Sequence, residues 1–401
     1  MRKLLGLALA LALLVPAASA DILKNVKSYG EVQVIGSISD RMLDDSVTPA
    51  GRHDQYSNTN VRVIYGINFD LAEDVKANLT LAYYNAWGAD DVDGKVISNN
   101  TDTGYLNEIK IMEANVVLKN LFCCLEAKVG RQFYGDEDSA IIYIGPNHYV
   151  SERAQDTLSS IDAVVLSHAG EMLSWDFVYG KIADTGAYDD SDTSLLGLDL
   201  KYNVAENIKV QGYFYNLRDG ADVIPAAGEH RYTSIYGAKG TLGLDMVTLS
   251  AEYARNIVGE PDDGAFDHDK GSLLKIDAKL DLGAFTPRAT IVRGENFQSF
   301  GNYRPGIIKG QAFDGDFYFE NNFIGNLGVD MKFAEMDKFT FSVDGFIFKE
   351  RNLKGSADYE ADLWVKYAMN KNVELHAAVG GYHEHARDNT YKAQTGMLIR
   401  F

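Results

Sequence analysis

Apolar residues recur at every second position through most of this chain, and few segments show the three- and four-residue spacing of an amphipathic helix. The run from residue 60 to 70 shows the pattern on one face: Val61, Val63, Tyr65, Ile67 and Phe69. The same alternation returns over residues 196–202, 274–280 and 327–333. Each run spans about ten residues, which is the length of a tilted β-strand that crosses a lipid bilayer. This periodicity predicts an all-β chain whose strands cross a membrane.

The connections between these runs alternate between short and long along the chain. Short turns lie near residues 71–75, 120–123, 169–172, 204–206, 241–245, 282–284, 334–337 and 370–371. Longer polar loops lie near residues 40–57, 88–105, 135–157, 184–193, 219–231, 258–270, 296–316, 351–356 and 386–390. Eight turns and nine loops predict eighteen strands, with sixteen as the alternative count. All turns then fall at one end and all loops at the other, which is typical of a bacterial outer-membrane antiparallel β-barrel with short periplasmic turns and long extracellular loops.

The fourth strand contains a break in its alternation. Ile109 and Ile111 share one face, but they fall out of step with Ala114, Val116 and Leu118. One extra residue in a strand produces such a shift, because it moves every following side chain to the opposite face. The sequence therefore predicts a β-bulge between the two groups.

Composition and charge exclude several classes of protein. No window after residue 20 holds the run of about 18 apolar residues that a membrane-spanning helix needs, so a helical membrane protein is excluded. The net charge of −19 argues against nucleic acid as a partner, because phosphate binding requires a basic surface. A soluble sandwich or propeller is the alternative all-β fold, but ionic residues at mid-strand, opposite the apolar face, favour a water-filled lumen.

The first twenty residues have the three-part pattern of a secretory signal peptide. A positive start, Arg2-Lys3, precedes an apolar stretch, and the small residues at 18–20 suit a signal peptidase. We expect residues 1–20 to be cleaved after export and residues 21–401 to form one outer-membrane β-barrel.

The C-terminal segment ends in an aromatic residue after an alternating run. Tyr391, Met397, Ile399 and Phe401 share one face. This segment resembles the terminal strand of bacterial outer-membrane porins. The resemblance implies that Phe401 is part of the signal that the barrel-assembly machinery of that membrane recognises.

A second resemblance lies in residues 129–137, which read Val-Gly-Arg-Gln-Phe-Tyr-Gly-Asp-Glu. The pattern is similar to a strand-end stretch in the alginate-export and related porin families, in which the following loop folds into the barrel and narrows the channel. The resemblance implies an outer-membrane porin that acts as a passive diffusion channel for small hydrophilic solutes and ions. We do not expect alginate as the substrate of this chain, because alginate exporters have an Arg-rich lumen, whereas the lumen expected here is not rich in arginine.

Alternation assigns a set of charged side chains to the lumen: Arg62, Glu126, Lys128, Asp199, Lys201, Lys275, Asp277, Lys279, Arg288, Asp330 and Lys332. Counted over all the residues that alternation turns inward, eleven are basic and nine are acidic, whereas the loops carry most of the negative charge of the chain. An acidic vestibule would enrich cations above such a lumen, although acidic loops also keep a surface protein soluble. No cofactor or metal site is predicted, and Ca²⁺ at the acidic outer loops is the one open alternative.

The loop at 135–157 is the longest and contains the apolar segment 140–144. Apolar residues in a long loop need a surface to cover, and the inner barrel wall supplies one. We therefore predict that this loop folds inward and narrows the lumen, with an external flap as the alternative. The charged residues expected at the narrow zone are Arg131, Asp136, Glu137, Asp138, Glu152, Arg153 and Asp156. Strict alternation, however, points Arg131 outward together with Val129.

Other functions stay open for such a barrel. A polysaccharide export channel, or a barrel used for adhesion or anchoring, would share this architecture. A membrane enzyme is a further alternative, but Ser167 and His168, the nearest catalytic pair, are adjacent in a strand and point to opposite faces, so we expect no enzyme. The expected partners are the outer membrane with its lipopolysaccharide, the barrel-assembly machinery and small hydrophilic solutes. A homotrimer and a monomer both fit the sequence.

Overall fold

The computed structural model places eighteen strands in one antiparallel sheet that closes into a barrel. It describes residues 24–40, 56–86, 109–122, 124–146, 159–182, 193–219, 232–259, 269–309, 318–319, 322–350, 355–385 and 389–401. Consecutive strands pair with each other, and the last strand pairs with the first, with Met397 opposite Val34. The predicted count of eighteen strands is confirmed. Closure satisfies the backbone hydrogen bonds of every strand and leaves no free edge.

The first nine barrel strands are β1 (Lys24–Ser39), β2 (Tyr56–Ala72), β3 (Val75–Ala86), β4 (Ile109–Leu121), β5 (Leu125–Gln132), β6 (Ile161–Ala169), β7 (Leu173–Ile182), β8 (Thr193–Ala205) and β9 (Ile208–Asp219). The other nine are β10 (Tyr232–Leu244), β11 (Val247–Gly259), β12 (Asp269–Leu280), β13 (Phe285–Glu295), β14 (Asn322–Met331), β15 (Phe339–Glu350), β16 (Asp358–Asn370), β17 (Val373–His383) and β18 (Thr390–Arg400). A 3₁₀ turn at Ala334–Met336 lies between β14 and β15.

Short and long connections alternate around the barrel, as the sequence predicts. Each predicted turn falls where two strands reverse direction, for example between Asn370 and Val373. The C-terminus lies at the turn end beside β1, where Phe401 and Gly30 exchange backbone hydrogen bonds of 2.9 and 3.1 Å. The strand ends that meet the long connections lie at the opposite end of the barrel, which we call the loop end.

The predicted bulge in β4 is present. The pairing of β3 with β4 shifts between Thr80, opposite Glu113, and Leu81, opposite Ile111, so that Met112 is the extra residue. Met112 and Glu113 are both buried, at 2% and 7% exposure, because the bulge turns two consecutive side chains toward the interior.

Midway along the described strands, the exterior of the barrel is apolar and its interior carries charged side chains. On β8, Leu198 and Leu200 are 37% and 40% exposed, whereas Asp199 between them is only 7% exposed. The same contrast holds on β12, where Ile276 is exposed and Lys275 is buried. This pattern confirms the predicted assignment of faces along these strands. Within the described ranges, no helix has the length and hydrophobicity needed to span a bilayer.

Candidate functional site

Residues 133–146, which follow β5, pack inside the barrel, and we call them the first inserted segment. Ala140, Ile141, Ile142 and Ile144 are at most 5% exposed. They belong to one hydrophobic cluster with inward-facing wall residues, among them Ile161, Val178, Leu195, Ile235 and Leu273. These wall residues lie toward the loop end of their strands. The apolar segment thus covers the inner wall, as its composition predicts.

The first inserted segment enters the lumen across β2, β3 and β4. Phe133 packs against a small buried cluster formed by Ile64, Ala82 and Met112. Met112 is the bulged residue of β4, and without the bulge its side chain would point away from the lumen. The bulge therefore supplies an apolar contact for Phe133 where the segment leaves β5.

A second connection also enters the lumen. Residues 297–309, which follow β13, form the second inserted segment, and Phe297, Ile307 and Ile308 are at most 3% exposed. Phe297 pairs in a short antiparallel ladder with Phe319, which is fully buried in the same cluster. The aromatic rings of these two residues lie 6.4 Å apart between centroids.

The sequence of residues 296–316 indicates only a polar outer loop, and that interpretation is wrong for the described part of the range. A signal is present in the sequence, because Phe297, Phe300, Tyr303 and Ile307 are all large and apolar or aromatic. They are separated by polar residues, however, so they form no continuous apolar run like the one in the first segment.

The two inserted segments contact each other through their backbones. Ile142 and Phe300 form a parallel β-bridge. The N–H of Tyr143 donates to the carbonyl oxygen of Phe300 at 2.8 Å, and the N–H of Phe300 donates to the carbonyl oxygen of Ile141 at 3.0 Å. The N–H of Asn302 adds a bond of 2.8 Å to the carbonyl oxygen of Ser139. The two segments thus form one structural unit inside the barrel.

Two buried carboxylates of β16 hold the second inserted segment against the wall. Glu360 accepts hydrogen bonds from the backbone N–H groups of Ile308 at 2.7 Å and Lys309 at 2.9 Å. Asp362 accepts a bond of 3.0 Å from the N–H of Ile307. Both side chains are at most 4% exposed, so these hydrogen bonds to backbone N–H groups form away from water. We call Glu360 and Asp362 the carboxylate clamp.

Two further residues complete this attachment. The ammonium group of Lys392, on β18, donates to the carbonyl oxygen of Ile307 at 2.9 Å. Gly306 precedes the three donating N–H groups and has a φ of +80°, and a Cβ there would lie 2.4 Å from Oε1 of Glu360. Only glycine accommodates both this backbone conformation and this close approach.

The first inserted segment carries the predicted acidic cluster. Asp136 and Asp138 are exposed and Glu137 is half-buried. Burial raises the pKa of the Tyr143 phenol, and the negative charge of Glu137 raises that pKa further, while Arg62 opposes the rise. Glu137 therefore lies within electrostatic range of Arg62 on the wall. Glu152, Arg153 and Asp156, the remaining residues predicted for the narrow zone, lie outside the described residues.

Most of the predicted lumen residues face the interior, and four of them form ion pairs between strands: Arg62, Lys128, Arg288 and Asp330. Arg62 pairs with Glu31 at 2.7 Å, and Lys128 pairs with Glu113 at 3.2 Å. Arg288 bridges two strands, with its guanidinium group 2.6 Å from Asp344 and 3.4 Å from Asp330. Such pairs between adjacent strands stabilise the wall and fix the direction of its side chains.

Polar contacts also hold three other predicted lumen residues: Asp199, Lys275 and Asp277. Asp199 accepts hydrogen bonds from Gln211 at 2.7 Å and Tyr215 at 3.3 Å. Lys275 lies 3.6 Å from Asp277, and its ammonium group is 5.0 Å from the ring centroid of Tyr303 in the second inserted segment. This cation–π contact adds a charged wall residue to the attachment of the segment.

Three predicted lumen residues, Glu126, Lys201 and Lys279, occupy inward positions closer to the turn end and are exposed or half-buried. Lys332 requires a correction. It lies beyond the end of β14, in the connection to β15, where its backbone N–H donates to the carbonyl oxygen of Ala284. It is therefore a turn residue and not a wall residue of the lumen, because β14 ends at Met331.

Arg131 also requires a correction. Its guanidinium group binds both oxygens of Asp162 at 2.7 and 2.9 Å, and this pair lies on the exterior face of β5 and β6. Val129 and Val164, two residues nearer the turn end on the same strands, are exposed on the exterior of the barrel. Alternation persists to the end of β5 and points Arg131 outward, so its assignment to the narrow zone is wrong.

The sequence analysis omits several acidic residues of the lumen. Glu31, Glu113 and Glu360 all face the interior, where they accept hydrogen bonds from wall or segment groups. Alternation along each strand gives their direction. Glu113 is missed because it comes directly after the bulge, and Glu31 and Glu360 are missed because few inward residues are assigned in their strands. The lumen therefore has more acidic character than the sequence analysis predicts.

The sequence matches no model of a known protein family and no curated protein. Its fold is similar to solved structures from Pseudomonas aeruginosa. OpdL has a TM-score of 0.64 at 11% identity, covering 94% of this chain and 99% of that chain. OccK9 (OpdG) has a TM-score of 0.64 at 10% identity, with coverage of 94% and 98%. The outer membrane protein OpdK has a TM-score of 0.62 at 9% identity, with coverage of 94% and 98%.

These similarities extend over almost the whole of each chain, and they support the closed eighteen-stranded barrel as a known fold. At 9–12% identity they establish the fold alone. The resemblance of residues 129–137 to alginate-export proteins stays a prediction.

Proposed function

We propose that this protein is an outer-membrane porin that lets small hydrophilic solutes diffuse through a lumen narrowed by the two inserted segments. The observation that carries the proposal is the backbone pairing of these segments inside a closed barrel, with Ile142 beside Phe300. A barrel of sixteen to eighteen strands leaves a water-filled lumen unless loops enter it. Two paired segments occupy part of that lumen and leave a charged wall beside them.

The distribution of side chains supports a location in the bacterial outer membrane. Exposed leucines and valines cover the outside of the described strands, and ion pairs line the inside. The similar structures include a protein described as an outer membrane protein. We infer that the chain is exported through its N-terminal signal peptide, and that its turns face the periplasm.

The narrow zone is inferred to favour cations. Asp136, Glu137 and Asp138 lie on the first inserted segment, and the acidic residues of the wall add to their charge. In a confined, low-dielectric channel, fixed charges act on a passing ion with little screening. Several cations of the described lumen are paired with carboxylates, as Arg62 is with Glu31 and Lys128 with Glu113, and this pairing reduces the positive field that they add.

Planar-bilayer recording of the purified barrel tests the proposal. Stepwise, ion-conducting openings are expected, and swelling of liposomes that contain the protein should slow as the external sugar becomes larger. Openings that also pass charged oligosaccharides would support the alternative of a polysaccharide export channel. The absence of any openings from a correctly folded barrel would contradict the proposal and favour a role in adhesion, in anchoring or as a membrane enzyme.

A further inference from the structure

The exterior of the barrel is not uniformly apolar, because cations appear on it at the loop end. They occupy lipid-facing positions on β5, β7, β9, β11, β12, β13 and β15: Arg131, Lys181, Arg218, Arg255, Lys270, Arg293 and Lys349. We call these residues the cation belt. Each lies close to the residue at which its strand meets a long connection.

The outward direction of the belt residues follows from their neighbours on the same strand face. Phe214, four residues before Arg218, is 41% exposed. Tyr253, two residues before Arg255, is 50% exposed, and Ile291, two residues before Arg293, is 43% exposed. Residues two or four apart in a strand share one face. The belt residues themselves are exposed or half-buried.

The strand register brings several belt residues next to one another. Arg131 lies opposite Asp162, and Asp162 in turn lies opposite Lys181. On the far side of the barrel, Arg293 and Lys349 are both opposite Phe323, on the two strands that flank it. The belt is therefore an arc that runs around the wall from β5 to β15.

The two ends of the barrel differ on this surface. In the turn-side half of the described strands β5 to β15, the lipid-facing positions hold no Lys, Arg, Asp or Glu. Leu200, Leu249 and Phe285 are examples, each about two-fifths exposed. At the loop end the lipid-facing acids of the described strands are Asp162 and Glu295, fewer than the cations. This excess of cations occurs in a chain whose net charge is −19.

We propose that the cation belt binds the phosphate groups of phosphorylated glycolipids, which form the outer leaflet of a bacterial outer membrane. Arginine matches phosphate with paired N–H donors, and a cation near an anionic leaflet is attracted to it. Four of the seven belt residues are arginines. The proposal rests on the orientation given under the proposed function, with the loop end outside.

Aromatic residues lie at the same level as the belt. Tyr236 is directly opposite Arg255 and is 40% exposed, and Tyr232 is directly opposite Arg218. Tyrosine at the boundary between hydrocarbon and headgroups is typical of membrane barrels. The cations therefore lie at the depth of the lipid phosphates, just outside the apolar band.

The test compares two triple variants that remove the same positive charge from opposite faces of the wall. The belt variant is Arg218→Gln, Arg255→Gln and Arg293→Gln. The control variant is Lys128→Gln, Lys201→Gln and Lys279→Gln, which face the lumen. Each is refolded in detergent and titrated with bisphosphorylated lipid A, and binding is followed by native mass spectrometry. A third variant, with lysine in place of each of the three belt arginines, separates loss of charge from loss of fold.

The belt variant should bind lipid A about 100-fold more weakly than the wild type, since each interfacial cation contributes about a fivefold factor. The lumen control should bind like the wild type, and the lysine variant should recover most of the affinity. Wild-type protein should also bind dephosphorylated lipid A weakly. The proposal would be overturned if the belt variant and the lumen control bound lipid A with equal affinity. It would also be overturned if the wild type bound bisphosphorylated and dephosphorylated lipid A equally well. Bilayer conductance of the belt variant is measured in parallel, so that failure of the belt is distinguished from failure of the channel function.

Discussion

The hydroxyl group of Ser299 donates a hydrogen bond to the carbonyl oxygen of Ala140, 159 residues earlier in the chain. Both residues are fully buried inside the barrel, in segments that follow different strands. A barrel wall needs no such contact to close, because its strands already pair from β1 to β18. The contact therefore serves the interior, where it joins the two inserted segments into one unit.

The carboxylate clamp should determine whether the second inserted segment stays on the wall. Replacing Glu360 with Gln and Asp362 with Asn exchanges one acceptor oxygen of each side chain for an NH₂ group, which weakens the hold on three backbone N–H groups. A buried donor that loses its acceptor costs about 1–3 kcal/mol, so the amides of residues 307–309 should exchange with deuterium about 10–100-fold faster. Hydrogen–deuterium exchange with mass spectrometry measures this directly.

Glu374→Gln is the matched control for the clamp, because it neutralises an inward carboxylate near the turn end of β17. Gly306→Ala provides a second variant, since its Cβ would displace Glu360 without a change of charge. We expect faster exchange in the clamp variant and in Gly306→Ala but not in the control. Unchanged exchange at residues 307–309 in both variants would show that other contacts hold the segment.

The assignment of faces predicts a large difference between two neighbouring positions on β8. Leu198→Arg places a charge in the hydrocarbon and should lower the free energy of unfolding by about 2–4 kcal/mol near the bilayer midplane. Lys201→Arg conserves the charge on the lumen side and should have little effect. Urea unfolding of the two variants in lipid vesicles measures the difference. Similar losses of stability from both substitutions would be inconsistent with the assigned faces.

The acidic cluster of the first inserted segment should set ion selectivity. Asp136→Asn, Glu137→Gln and Asp138→Asn remove three negative charges from the proposed narrow zone, so the reversal potential in a salt gradient should shift toward anion selectivity. Bilayer recording under a KCl gradient measures this shift.

The control for the acidic cluster is neutralisation of Asp189, Asp190 and Asp192, which the sequence places in an outer loop. Charges there are screened by salt, so that variant should alter conductance weakly and mainly at low ionic strength. If both sets of substitutions shift the reversal potential equally, selectivity arises from a diffuse field at the mouth and not from the inserted segment.

The strands could be predicted from the sequence because each has one apolar side on the exterior of the barrel. Alternation gave the faces of Leu198 and Lys201, and the loss of phase after Ile111 located the bulge. The first inserted segment could also be predicted, because the run from Ala140 to Ile144 is too apolar for an exposed loop. In each case the signal lies within a few consecutive residues.

The second inserted segment and the carboxylate clamp could not be predicted in the same way. Glu360 and Asp362 read as ordinary inward residues of β16, and their partners lie more than fifty residues earlier in the chain. Every residue except proline has a backbone N–H group, so the sequence does not indicate which of these groups a carboxylate binds. Only Gly306, where no side chain fits against Glu360, marks the attachment.

Single-channel conductance of the protein with and without its inserted segments tests the central claim most directly. Two variants are compared with the wild type at the same salt concentration: deletion of residues 140–145, and replacement of residues 299–308 by a Gly-Ser linker. Both variants should conduct more current per open channel than the wild type, because each removes part of the paired unit that occupies the lumen. Folded barrels in which both changes leave the conductance at the wild-type level would contradict the claim that these segments form the narrow zone.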